Sequence, residues 1–157
     1  MAEKTDQIDI RILEALQRDG SLSQRELAEV VGLSQNACWR RLKVLEERGV
    51  LRGRTARVDR RALGLDLVVF TMIKTRNHSA EWLARFRAHV LTIPEVVDFH
   101  RIGGEYDYML KIVTRDMAGF DAVYQRLIAG VELDGVTSYF AMEGIAEQRP
   151  LHISSRR

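Results

Sequence analysis

Apolar positions in the first third of the chain repeat with helical spacing. Ile8, Ile12, Ala15 and Leu16 share one face, with Thr5 and Asp6 as N-cap candidates and Gly20 as a stop. Ser23-Gln-Arg-Glu26 is an S-x-x-E capping box, in which each side chain satisfies the other residue's orphan amide. Leu27, Ala28 and Val31 then predict a brief helix ending at Gly32, and Ser34 caps a longer one over 35–48, closed by Gly49, with Cys38, Leu42 and Leu45 facing inward. A short helix, a Gly-Leu-Ser turn and a longer helix predict a helix-turn-helix. Val50-Leu51 followed by Arg52, Arg54 and Arg57 predicts a short wing or extended strand.

Beyond residue 65 the pattern alternates between strand and helix periods. Leu67–Thr75 is rich in β-branched and aromatic residues and predicts a central strand. Ser79 caps a helix with Trp82, Phe86 and Val90 at every fourth position. Val96–Ile102 and Tyr106–Thr114 predict two strands joined at Gly103-Gly104. Asp116 starts a helix burying Phe120, Val123, Tyr124 and Leu127, and Val136–Met142 predicts the last strand. The order β-α-β-β-α-β is the ferredoxin-like split unit, with both helices on one face of a four-stranded antiparallel sheet. The fold class is therefore α+β, with a helix-turn-helix over 1–53, a linker over 54–65, and a ferredoxin-like domain with a C-terminal tail over 66–157. Val68, Phe70 and Met72 alternate with Leu67, Val69 and Ile73 on the first strand, so one apolar face is left for self-association, and a homodimer is expected.

Charge changes this picture more than composition does. The 157 residues carry 24 Lys+Arg and 22 Asp+Glu, a net +2 that excludes a wholly basic DNA-coating protein. The average hides a division: residues 34–61 hold nine Lys+Arg and three Asp+Glu, a local +6. On the third helix, Ser34, Gln35 and Asn36 offer an amino terminus and small polar groups to phosphates or base edges, and Arg40, Arg41 and Lys43 follow them. Arg25 on the preceding helix and Arg54 in the wing extend this candidate interface with double-stranded DNA. Trp39 could stack on a sugar or pack against the first helix, and packing is favoured because an isolated aromatic usually completes a small core. A solvated basic face, or a three-helix module that docks a protein, is the competing reading.

Cys38 is the single cysteine, so no intramolecular disulfide forms, and no ligand set for a metal or cofactor is present. The opening residues lack an apolar segment and no run of about 18 apolar residues occurs, which predicts a cytoplasmic protein without membrane association.

Asp6-x-x-Asp9-x-x-Ile12-Leu13, Leu27-Ala-x-x-Val-Gly-Leu-Ser34 and Cys38-x-x-Arg41-Leu-x-x-Leu45-Glu46 together resemble the Lrp/AsnC, or feast/famine, transcription regulators. Gly104-Glu-Tyr-Asp-Tyr108 is similar to that family's signature between the second and third strands, and Ser138-Tyr-Phe-Ala-Met-Glu143 to its last strand. The likeness runs from about residue 5 to 150. Gln35, Asn36 and Ala37 depart from the Pro-Thr-Pro of many members, so base preference does not carry over. The resemblance implies a DNA reader joined to a domain that assembles dimers into octamers and binds an amino-acid effector between subunits. It places Arg101, Gly103, Gly104, Glu105, Tyr106 and Asp107 at the pocket, with Met72, Met117, Tyr139 and Ala141 as neighbours. Independently, Gly103 and Gly104 allow close backbone approach for a carboxylate, while Glu105 and Asp107 suit an α-ammonium group; a plain hairpin turn with solvated acids is the alternative. Ile73-Lys-Thr-x-x-His78-Ser-x-Glu81-Trp82, with Cys38-Trp39, is similar to the branch that answers to cysteine, though other sulfur, branched-chain and aromatic amino acids stay open.

The competing function is a catalytic or amino-acid-sensing metabolic protein in which Glu105 and Asp107 act on a ligand and the helical half docks a protein. His78, His89, His100 and His152 lack HxxH or HExxH spacing, which leaves a regulator rather than an enzyme as the expectation.

Overall fold

The computed structural model describes residues 5–154; the ends of the expected domains, 1–4 and 155–157, lie outside the described residues. The chain forms two compact units. The first holds α1 (Gln7–Arg18), α2 (Gln24–Val31) and α3 (Gln35–Glu47), and the second is built on β1 (Leu67–Lys74), α4 (Ala80–Val90), β2 (Val96–Arg101), β3 (Tyr108–Thr114), α5 (Met117–Ala129) and β4 (Gly135–Phe140).

Local chemistry sets the helix starts. Asp6 Oδ1 accepts from the Ile8 and Asp9 amides at 2.9 and 2.8 Å, and Asp9 returns the bond to the Asp6 amide. Ser23 and Glu26 form the reciprocal capping box, and Ser34 Oγ accepts from the Ala37 amide at 3.3 Å. Gly32 closes α2 at φ +71°, a left-handed conformation that disfavours side chains. The helices then bury Ile12, Leu13, Leu16, Leu27, Ala28, Val31, Cys38, Leu42 and Leu45 in one core.

Two expectations for the first unit change. The wing forms no strand, because the Val50 and Leu51 amides both donate to the Leu45 carbonyl, at 2.9 and 3.0 Å, and finish α3 instead. The C-terminal tail, expected with the sheet, belongs over its described residues 146–154 to the helical unit, and the boundary after the helices falls at Val58/Asp59. Gln17 exchanges two bonds with the Leu151 backbone, Arg57 donates to the Gln148 carbonyl, and Ile153 packs on the helical core.

In the second unit the strand order is β2-β3-β1-β4, antiparallel throughout. β3 alternates strictly between buried and half-buried residues, as expected of a strand with one covered face. The covered face presents Val69, Ile73, Tyr108, Leu110 and Ile112 to Trp82, Phe86 and Val90 of α4 and Phe120, Val123 and Leu127 of α5. Trp82 and Phe86 stack at 4.9 Å between ring centroids, and Phe86 meets Phe99 edge-on at 5.5 Å. Tyr124, expected to be buried, is half-buried and tilts against Phe120. The other face, with Phe70, Met72, Met109, Val113, Thr137 and Tyr139, carries no helix of this unit.

His89 hooks the two helices together, its Nε2 lying 2.8 Å from the Arg126 carbonyl and 3.2 Å from that of Leu127. A Cβ on Gly130 would stand 2.6 Å from the His89 ring. Gly130→Ala should therefore displace the ring and cost about 1 kcal/mol in denaturant unfolding. In the His89→Ala background the same change should cost little; equal costs in both backgrounds would show that the ring is not held there.

Candidate nucleic-acid interface and ligand end

Helical periodicity divides α3 into two stripes. Cys38, Leu42 and Leu45 face the core, leaving Gln35, Asn36, Trp39, Arg40 and Lys43 exposed, with Ser34 at the amino end. The exposed stripe joins free helix-terminal amides to two cations, a combination suited to phosphate oxygens. Trp39 does not pack against α1 as expected: it is 50% exposed, and Lys43 Nζ lies 5.4 Å from its ring centroid. The 38-42-45 stripe fills the core without it.

Arg41 does not stand beside Arg40 on this surface. It lies three residues from Cys38 and four from Leu45, on the flank of the buried stripe, and its Nη1 donates to Asp6 Oδ2 and Asp9 Oδ1 at 2.7 Å each. The Asp9 amide chiefly, and then Arg41, hold the Asp6 carboxyl below the ordinary aspartate range, while both acids raise the Arg41 guanidinium. Among the described residues Arg40 has no ion pair. Arg25 pairs with Glu29 at 3.0 Å on the exposed face of α2, and Arg54 donates to the Leu22 carbonyl at 2.7 Å, so part of its guanidinium braces the unit.

At the β2–β3 turn the structure brings together Arg101, Gly103, Gly104, Glu105, Tyr106 and Asp107. Gly104 takes φ +133°, which a side chain would strain. Asp107 is also engaged locally: Oδ2 accepts from the Thr75 amide at 2.8 Å, and its backbone bonds to Ile73 and Ile102. Thr75, just past the end of β1, was not among the expected site residues, although its position as the last residue of the predicted strand allows it to meet the turn. Tyr106 reaches Thr137 Oγ1 at 3.5 Å and also meets Tyr139, and Met72 lies opposite Thr137 in the ladder. Glu105, Gly103 and Arg101 are exposed.

Met117 and Ala141 stand apart from this group within one chain. Met117 opens α5 beyond the far end of β3, about 20 Å from the turn by strand rise, and the Ala141 amide bonds to Val68 at that same far end. Among the described residues no cluster of three His, Cys, Asp or Glu is placed to hold a metal, and no helix is long and apolar enough to cross a membrane.

A helix-turn-helix with an exposed basic and amide stripe, followed by a βαββαβ sheet, defines a DNA-binding regulator with a ligand-binding domain. The winged helix-turn-helix DNA-binding model matches residues 5–52, and the Lrp/AsnC ligand binding domain model matches residues 68–151. The chain belongs to the Lrp/AsnC family of transcriptional regulators. It is 47% identical over 141 residues to the DNA-binding transcriptional activator DecR of Escherichia coli K12, covering 89% of this chain and 93% of that one. The crystal structure of an AsnC family regulator from Agrobacterium tumefaciens superposes with a TM-score of 0.87 at 46% identity, covering 90% and 93% of the two chains. A transcriptional regulator from Neisseria meningitidis in complex with L-Met superposes with a TM-score of 0.87 at 33% identity, covering 94% and 96%.

The hydrogen bond with Tyr106, and then the nearby Glu105 carboxylate, raise the Tyr139 phenol above the ordinary tyrosine range. Both causes favour the neutral ring, so Tyr139 should ionise after a free tyrosine as pH rises. Tyr106→Phe should move that ionisation to lower pH in a ring-resonance NMR titration; an unmoved Tyr139 would contradict the pairing.

Proposed function

We propose that the exposed stripe of α3 reads duplex DNA and that an amino acid bound at the β2–β3 turn, between copies of the chain, sets the arrangement in which DNA is bound. The observation carrying this reading is the division of α3. Ser34, Gln35, Asn36, Trp39, Arg40 and Lys43 share the outward surface, while the core absorbs the other side of the same helix. Arg25 and Arg54 extend it in this reading, each partly engaged within the unit.

The open sheet face supports a homodimer, which places two reading helices on paired half-sites and builds further to an octamer. In such an assembly Met117 and Ala141 come from a second copy to complete the pocket begun by Met72, Gly103, Gly104, Glu105, Tyr106 and Tyr139. Arg101 and the exposed turn supply charge and free amides for a zwitterion, and Asp107 holds the turn to β1. The methionine side chains of Met72 and Met109 line the open face, which suits a sulfur-containing side chain, cysteine or methionine. L-Met in the Neisseria meningitidis relative supports that class. The ligand acts through its differential affinity for two assemblies, and the protein works in the cytoplasm, beside the chromosome. Catalysis has weaker support: Asp107 is engaged by Thr75, and the relatives are regulators of transcription.

A duplex-binding titration at several salt concentrations tests the DNA reading. Log affinity should fall steeply against log salt, and Arg40→Gln should make the slope shallower by about one unit; a flat wild-type slope would contradict it. A thermal-shift screen of the twenty amino acids tests the sensor. A ligand at a hundred times its Kd should add about 2.7 kcal/mol, and no response to any of them would overturn the amino-acid reading.

A further inference from the structure

We propose that Arg41 is a positioning residue for DNA recognition, locking the rotation of α3 against α1, rather than a phosphate ligand; this rests on the reading that the outward stripe of α3 binds DNA. The i, i+3, i+4, i+7 set Cys38, Arg41, Leu42 and Leu45 is the spacing of one helical face, so the sequence places a permanent cation where the helix turns inward. A guanidinium cannot shed its charge, and at the margin of a core it needs anionic partners.

Asp6 and Asp9 meet that need from the first turn of α1. Asp9 is buried, only 8% exposed, and Arg41 Nη1 bridges the two carboxylates at 2.7 Å each. These acids also cap α1, Asp6 receiving the Ile8 and Asp9 amides and Asp9 the Asp6 amide. One charge cluster therefore starts the first helix and pins the middle of the third. Apolar packing of Cys38, Leu42 and Leu45 is non-directional and tolerates small rotations of α3. Two short charge-assisted bonds off the helix axis do not, and each degree of rotation they prevent keeps Asn36, Trp39, Arg40 and Lys43 aimed together. The neighbouring groove carries Asp6 and Asp9 beside Arg40, Arg41 and Arg48, and it is the Arg41 charge that the two carboxylates take up there.

The two roles predict opposite results when Arg41 is released. Asp6→Asn keeps an N-cap residue of equal quality while removing one of the anions that hold Arg41. The test measures affinity for a duplex selected by the wild-type protein from a random pool, and for an unrelated duplex of equal length, at several salt concentrations. Variants are compared below the onset of thermal unfolding monitored by circular dichroism. Positioning predicts that Arg41→Gln lowers the selected-to-unrelated affinity ratio by about tenfold, equivalent to about 1.4 kcal/mol, with the salt slope unchanged. Asp6→Asn should lower the same ratio although it removes a negative charge. A slope shallower by about one unit in Arg41→Gln, tighter selective binding by Asp6→Asn, or an unchanged ratio in Arg41→Gln would overturn the proposal. Failure of the underlying DNA reading shows separately, as a flat salt slope in the wild type and no effect of Arg40→Gln.

Discussion

What the first unit shows to solvent depends on one packing contact. Cys38, Leu42 and Leu45 of α3 seat against a core that contains Ile12, Leu27 and Val31, and Cys38 and Leu45 are wholly enclosed. A helix advances 100° per residue, so burying that stripe leaves the opposite stripe no choice of direction. Asn36, Trp39, Arg40 and Lys43 face outward because their neighbours face in. The outward stripe proposed to read DNA thus takes its direction from apolar packing, and the Asp6-Asp9-Arg41 cluster adds two directional bonds between α1 and α3.

The same logic with a period of two governs the sheet. Tyr108, Leu110, Ile112 and Thr114 are buried beneath α4 and α5, which commits Met109, Lys111 and Val113 to the other face. Met72, Thr137 and Tyr139 join them through the β1–β4 ladder. Near one end of this face the β2–β3 turn collects Gly104, Glu105, Tyr106 and Asp107, and the Asp107–Thr75 bond fastens it to β1. One geometry therefore leaves both an uncovered face and a glycine-containing turn within residues 68–151, the span that matches the Lrp/AsnC ligand binding domain.

Much of the architecture was legible in residue spacing. Asp6, Ser23, Ser34, Ser79 and Asp116 all cap the helices that follow them, because a short polar side chain before an apolar repeat has a local partner that needs no knowledge of the fold. Two of the failures, Arg41 and the tail, lie where the partner is distant in sequence. Arg41 looked like Arg40 until Asp6 and Asp9 were placed beside it, although its spacing from Cys38 and Leu45 was a signal. Trp39 looked like core because aromatics usually are, yet the core closed without it. The wing residues Val50 and Leu51 were claimed by the Leu45 carbonyl, a helix-end contact that β-propensity does not encode. The tail joined the helical unit through Gln17, a polar residue with no pattern to mark it.

A net charge of +2 describes neither unit, since the +6 of residues 34–61 is offset elsewhere in the chain. The claim that the outward stripe of α3 is where DNA sits is tested most directly at Trp39. With two tryptophans in the chain and Trp82 only 3% exposed, Trp82→Phe leaves Trp39 as a single reporter on that stripe. Acrylamide quenching of Trp39 should fall when duplex is bound and return as salt dissociates the complex. Undiminished quenching in a complex whose formation is verified by sedimentation would place the DNA on another surface.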